Sequence, residues 1–291
     1  MGSVMDASVA TLYEADFYRI TDFKCRCTDC ITSKPEYSRS FCISFVRKGN
    51  FLFNVFRNSL DSYNGCVLVS KPGYERTVTH TYPIPDECTI FDFKMDFYRE
   101  LLEQYGSMRF FSDKDHDTTL VMTSPETEFL HFHILRLVLA KQATKLEIDN
   151  CVVHLVEKIL SNIADYKPDA RINARLKKNH LLTIERAKEY ITEHFTEDIS
   201  LAAIANYCYV SPFHFSRIFK TFTSVPPHQF LLSIRLQQAA LLLKNTSLPV
   251  ADIAFSSGFN SIEYFTAAFR NEYKCPPARF RTTTQQIQGT H

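Results

Sequence analysis

LAAIANYCYVSPFHFSRIFKTF at 201–222 and VADIAFSSGFNSIEYFTAAFRNEY at 250–273 are two versions of one unit, each closed by a proline pair, Pro226-Pro227 and Pro276-Pro277. Ala205 aligns with Ala254, Phe219 with Phe269 and Phe230 with Phe280, so the offset is 49 before the turn and 50 after it. The second turn carries one extra residue. Each copy reads as a short helix, a tight turn and a second, amphipathic helix, the helix-turn-helix pattern. One such pattern is a weak signal, because paired helices occur in many helical cores. Two copies with matched apolar positions and matched proline punctuation are a strong one.

The second helix of the first copy starts with Ser211 as N-cap and Pro212 at the first helical position, where a missing N–H costs nothing. Phe215, Ile218, Phe219 and Phe222 follow at i, i+3, i+4 and i+7 and gather on one buried stripe. The opposite face then carries Phe213, Ser216, Arg217 and Lys220. In the second copy Asn260 reads as the cap, with Glu263 in a capping-box position. Its buried stripe is Ile262, Phe265, Ala268 and Phe269, and its outer face is Glu263, Thr266, Ala267, Arg270 and Lys274. Polar side chains on such faces can reach phosphates and base edges, and a ring can rest on a thymine methyl.

Over about the last 110 residues the chain resembles the DNA-binding domain of the AraC/XylS family of bacterial transcription regulators. The residues that carry the resemblance are Ala205, Ser211, Phe215, Arg217 and Phe219 in the first copy. In the second they are Ile253, Ala254, Gly258, Phe259, Ser261, Phe265, Phe269, Pro276, Pro277 and Phe280. The resemblance implies that each recognition helix enters a major groove, with Phe213, Ser216 and Arg217, then Ile262, Glu263 and Thr266, as contacts. Lys220 and Arg270 join them from the outer-face pattern. Ala267 departs from the family, where a long polar side chain is common, and Tyr209 stands where glycine or asparagine is usual. No target sequence is therefore read off. The resemblance further implies a cupin-like N-terminal barrel that binds a small-molecule effector, helices that pair two subunits, contact with RNA polymerase, and activation rather than repression.

Composition bounds the rest. The 291 residues suggest about two domains, and 45% apolar content is enough for full cores. Net charge is only +1, yet residues 172–291 hold 13 basic and 8 acidic side chains while residues 1–171 hold 20 and 24. A basic C-terminal part fits phosphate contact. No apolar run is long enough to span a membrane, and the N-terminus lacks a signal-peptide layout, so the expectation is a cytoplasmic chain with no membrane partner. Nine cysteines without an export signal do not read as a disulfide framework. Cys42, Cys66, Cys151 and Cys208 lie among apolar residues and read as core.

The fold class expected is α+β, with a β-rich barrel over 1–95, helices with a possible pairing role over 96–165, a linker over 166–180 and a double helix-turn-helix domain over 181–291. Gly49-Asn50 and Asn64-Gly65 mark turns, the second read as a tight hairpin. Phe41, Phe45, Phe51, Phe53 and Phe56 fit an apolar pocket or an ordinary β core. Ile148, Val152, Leu155, Ile159 and Ile163 form a helical stripe that either pairs two copies or packs on its own barrel. Ile184, Ala187, Ile191 and Phe195 form another, beneath the first helix-turn-helix. His228 to Lys244 reads as a helix of about 25 Å, long enough to hold two recognition helices near the helical repeat of DNA.

Cys25, Cys27 and Cys30 are the most pointed N-terminal feature, and Cys27 and Cys30 form a C-x-x-C. Three readings stay open: a zinc or other thiophilic metal site, an oxidation sensor, or thiols without a role. For zinc, Cys88, Asp29 or His80 would have to complete the set. His131 and His133 lie inside a helical pattern, point to different faces, and read as ordinary helix histidines. With seven glycines, no phosphate-cradling loop and no G-x-S-x-G or H-E-x-x-H, the chain is not expected to be an enzyme.

Overall fold

The computed structural model describes residues 7–26, 32–56, 58–81, 85–140, 143–165, 172 and 174–288. The chain divides into two compact units, 1–185 and 186–291. The strands are β1 (Ala7–Glu14), β2 (Tyr18–Cys25), β3 (Glu36–Tyr37), β4 (Phe41–Lys48), β5 (Asn50–Val55), β6 (Asn58–Tyr63), β7 (Cys66–Ser70), β8 (Glu75–His80), β9 (Glu87–Phe93) and β10 (Thr118–Met122). The helices of the first unit are α1 (Met95–Tyr105), α2 (Arg109–Ser112), α3 (Pro125–Ala140) and α4 (Lys145–Asp165), and α5 (Ala174–His194) leads from the first unit to the second.

The strands build two antiparallel sheets, ordered β1-β2-β9-β4-β7-β10 and β3-β8-β5-β6. They form an open sandwich of two sheets, so that of the sandwich and the small barrel that the β-rich pattern allows the sandwich is the one observed. Strand alternation splits the large sheet into two buried faces. One face (Phe23, Leu68, Cys88, Ile90) meets Phe51, Phe53 and Val55 of the small sheet. The other (Tyr18, Ile20, Phe41, Phe45, Phe91, Phe93) meets Leu130, Ile134, Val152 and Leu155 of α3 and α4. Buried on both faces, β7 is apolar throughout except at its last residue, Ser70.

Two expectations are corrected here. Residues 96–165 are not wholly helical, because β10 pairs with β7 and shares the core of 1–95. Gly49 and Gly65 do take positive φ, at 85° and 96°, but each turn carries the chain from one sheet to the other instead of closing a hairpin. The α4 stripe of Ile148, Val152, Leu155 and Ile159 is buried within its own unit, so of the two readings of that stripe, a possible pairing face for a homodimer or packing on its own unit, the second is the one observed. The phenylalanine cluster also divides: Phe41 and Phe45 face the helices, Phe51 and Phe53 face between the sheets, and Phe56 is exposed.

His131 shows how fully the helical layer is packed. Its ring stacks on Phe45 at 4.2 Å and burial, followed by Arg47, pushes its pKa down to about 3. Burial, followed by Arg136, pushes His133 down to about 4. Both imidazoles are therefore neutral in the fold but titrate near 6.5 when it opens. Their contribution is fully present above pH 6.5 and is lost as pH falls toward 4 and then 3. Each costs about 1.4 kcal/mol per pH unit within that window. Urea unfolding of the first unit is expected to weaken steeply from pH 6.5 to 4.5, and His131→Leu is expected to flatten that slope by about one proton. An identical slope in the variant would refute the assignment.

The second unit is all helical among the described residues: α6 (Leu201–Tyr207), α7 (Pro212–Thr223), α8 (Pro227–Asn245), α9 (Val250–Ser256), α10 (Ile262–Tyr273) and α11 (Pro277–Gln288). Helix α8 is its centre. Its 19 residues span about 28 Å, and Phe230, Leu231, Ile234, Leu236, Ala239, Ala240 and Leu243 are all buried. The rings of Phe230 and Phe219 of α7 meet edge to face with centroids 5.4 Å apart, while Leu236 to Leu243 pack with Ile253, Phe259, Phe265 and Phe269 of the second copy. The two helix-turn-helix units thus occupy successive portions of one helix. Arg235 of α8 donates to Phe195 O and Glu197 O, both at 2.7 Å, and so ties the chain after α5 to the same helix. No helix of the described residues is long and apolar enough to cross a membrane.

Candidate nucleic-acid interface and sensor sites

Local chemistry aims both outer helices. The hydroxyl of Ser211 accepts from His214 N–H at 3.4 Å and caps α7, as the pattern predicts. In the second copy the cap is Ser261, not Asn260: its hydroxyl accepts from Tyr264 N–H at 3.1 Å. The extra turn residue moves the start by one, so Ser261 takes the place of Ser211. The same hydroxyl donates to Glu263 Oε2 at 2.7 Å, and that bond holds the Glu263 carboxyl below its usual range. Glu263 therefore helps to finish the helix start as well as standing at the surface.

On α7, Phe213 is 82% exposed, Arg217 and Lys220 are exposed and Ser216 is half-buried. On α10, Glu263 and Arg270 are exposed while Ile262 and Thr266 are half-buried. Among the described residues none of Arg217, Lys220 and Arg270 is held in a salt bridge, so their charge is open to an outside anion. The first buried stripe, Phe215, Ile218, Phe219 and Phe222, behaves as patterned, whereas of the second only Phe265 and Phe269 are buried and Ile262 and Ala268 are half-buried. Sequence reasoning passed over Tyr264 and His214. They align at an offset of 50, both stand third in their helices, and Tyr264 is 57% exposed. His214 Nδ1 lies 3.5 Å from Arg217 Nη2, so it orients a predicted contact.

The two turns solve one backbone problem differently. Gly258 has φ +86° and lies against Phe195 O, where an added Cβ would fall at 2.7 Å. Its counterpart Tyr209 has φ +57° and is 86% exposed. A non-glycine residue tolerates this left-handed position at a cost of about 1 kcal/mol when its side chain points to water.

In the first unit an inter-sheet cleft of about 90 Å³ is lined by Phe23, Leu68, Ile90, Phe51, Phe53 and Val78, with Arg76, Glu36 and Asp86 as its charged members. Arg76 lies 3.4 Å from Glu36 and over the Phe53 ring at 5.4 Å, and its Nε is buried without a hydrogen-bond partner. The predicted cysteine group is only partly brought together. Cys27 and Cys30, with Asp29, lie outside the described residues. Cys88 is packed with Val46, Phe51 and Leu68, and burial drives its thiol far above the usual range, so it is not a ready ligand. Cys25 instead lies with His80 and Asp86, their donor atoms within 4.8 Å of one another. Asp86 was not anticipated, because nothing in its local sequence shows that β9 places it beside the end of β2. Cys42 is likewise inert as a nucleophile, its thiol pushed up to about 12 by burial and by Asp92.

Residues 201–283 match the family described as helix-turn-helix domain. Regulatory protein PocR of Salmonella typhimurium is 27% identical over 152 residues, 52% of this chain and 49% of that protein. The bifunctional transcriptional activator/DNA repair enzyme AdaA of Bacillus subtilis is 32% identical over 98 residues, 34% of this chain and 46% of that protein. The match thus spans about half the length of each of these relatives. YfiF of Bacillus subtilis, an HTH-type transcriptional regulator, is 24% identical over 260 residues, 82% of either chain.

Proposed function

We propose that the C-terminal unit, whose residues 201–283 match a helix-turn-helix family, is a double helix-turn-helix domain of the AraC/XylS kind, and that the chain is a sequence-specific transcription regulator that reads double-stranded DNA through α7 and α10. One observation carries the reading. Two capped helices, each with an open basic side chain and an exposed aromatic in its first turn, pack against one spacer helix of about 28 Å. That length suits two successive major grooves on one side of a duplex. Helix starts direct N–H groups to phosphates, Arg217, Lys220 and Arg270 add charge, and Phe213 and Tyr264 offer apolar contact to base edges. A single chain then covers about two turns of DNA without a second copy, and it acts where the bacterial chromosome lies, in the cytoplasm.

The inter-sheet cleft supports an effector role for the first unit. Its apolar walls and the open Nε of Arg76 suit a small, mainly apolar molecule with one acceptor group. Such a ligand shifts DNA binding only as far as its affinity differs between two arrangements of the protein. Activation, with contact to RNA polymerase, is the mode the family analogy favours. No catalytic chemistry is part of the proposal.

The test is selection of DNA sites from a random duplex pool by the full chain, followed by affinity measurements at several salt concentrations. We expect enriched sites with two short patterns about 10 base pairs apart. With Arg217, Lys220, Arg270 and Lys274 near phosphates, the logarithm of affinity should fall against the logarithm of salt with a slope of about −3 to −4. No enrichment, or binding indifferent to salt, would overturn the reading.

A further inference from the structure

We propose that Cys25, His80 and Asp86 form a binding site for a thiophilic divalent cation of the zinc type, joining the two sheets at one end of the sandwich. The proposal stands on the first unit alone and does not depend on DNA binding.

The three residues come from separate segments of the chain. Cys25 ends β2 and Asp86 precedes β9, both on the large sheet, whereas His80 ends β8 on the small one. Cys25 N–H donates to Asp86 O at 2.8 Å, so the sheet itself sets these two side by side. Burial is nearly complete: Cys25 is 3% exposed, Asp86 2%, and the His80 side chain 6%.

The geometry is that of a coordination site. Cys25 Sγ lies 3.8 Å from His80 Nε2. Two such ligands on a tetrahedral zinc, at about 2.3 Å for sulfur and about 2.0 Å for nitrogen, stand about 3.5 Å apart. A shift of a few tenths of an ångström closes the site. On its other side His80 Nδ1 lies 3.0 Å from Asp86 Oδ2. That contact orients the ring so that Nε2 faces the sulfur, the carboxylate–histidine arrangement that supports metal sites.

A second observation points to a cation here. Asp86 Oδ1 is buried with no hydrogen-bond partner. It is pressed over Gly49, where an added Cβ would come within 2.6 Å of it. A buried carboxylate oxygen left unpaired is costly, and buried charges are normally paired or metal-bound. A cation between Sγ and Nε2 adds positive charge to the same cluster, whose donor atoms lie within 4.8 Å of one another. Sulfur and nitrogen donors together select zinc and its neighbours over magnesium or calcium, which take oxygen only, and Asp86 serves the ion through the His80 ring. The near-complete burial of the sulfur speaks against the same trio working as a nucleophile on a substrate of any size. Water would fill the remaining positions.

The probe is Co²⁺ added to metal-stripped, untagged full chain, with Zn²⁺ used to displace it. We expect one cobalt per chain, a thiolate-to-cobalt charge-transfer band, and the strong visible bands of a tetrahedral ion. Cys25→Ser and His80→Gln should each lower affinity at least ~10-fold, whereas Cys88→Ala should bind as the unaltered protein does. Zn²⁺ should raise the melting temperature of the unaltered chain and not that of His80→Gln, which carries the test should Cys25→Ser fail to fold. No charge-transfer band in the unaltered chain overturns the proposal. So does either ligand variant binding with full affinity, including the case where only a Cys27→Ser/Cys30→Ser double variant loses the ion.

Discussion

Gly258→Val is expected to destabilise the second unit by at least about 3 kcal/mol. The glycine holds φ +86°, and a left-handed backbone costs an ordinary residue about 1–2 kcal/mol, more when the side chain is β-branched. Space adds the larger part. A Cβ would meet Phe195 O at 2.7 Å, Thr196 Cα at 2.9 Å and Arg235 Nε at 2.9 Å. Two of these are backbone atoms, and the third belongs to a side chain fixed by its bonds to Phe195 O and Glu197 O. None can retreat cheaply, and overpacking of this kind costs about 1–3 kcal/mol. Hydrogen exchange of the full chain, read on peptides from α8 to α10, should show protection collapse in the variant while peptides from β4, β7 and β9 keep theirs. Protection unchanged across α8–α10 would show that this turn has room that the geometry denies it.

Arg217→Ala and Arg270→Ala should each weaken binding to a selected DNA site by about 5- to 150-fold, the span of about 1–3 kcal/mol for a lost specific contact. The informative result is their combination. Arg217 belongs to α7, packed at the Phe230 end of α8, and Arg270 to α10, packed along Leu236 to Leu243. Side chains this far apart with no shared partner contribute independently, so the double variant should lose the product of the two factors. Circular dichroism should not change, since both residues are exposed and make no salt bridge among the described residues. If Arg270→Ala were silent while Arg217→Ala kept its full effect, only the first helix-turn-helix would be reading DNA. If neither mattered, the outer faces would not be the interface.

The sequence by itself determined the second unit nearly to the residue. The 3.6-residue spacing of Phe215, Ile218, Phe219 and Phe222, the serine cap and the proline pairs are local signals, and local signals are enough for short helices packed on a neighbour in the chain. It missed Ser261 as the second cap because an inserted turn residue moves a helix start by one, and two adjacent capping residues, Asn260 and Ser261, look alike to a pattern. It flagged Tyr209 as unusual but could not show that Gly258 alone faces a backbone wall. In the first unit the turns at Gly49 and Gly65 were legible, but what they join was not, because a positive φ serves a hairpin and a corner between sheets equally well. Whether the α4 stripe was core or interface was settled only by what lies opposite it. The same holds for the cysteines. Cys25 was readable as chemistry, yet its neighbours are 55 and 61 residues away along the chain. Only the pairing of β2 with β9 and the packing of β8 across from them bring a thiol, an imidazole and a carboxylate to one buried point, since strand pairing joins residues by register and not by order.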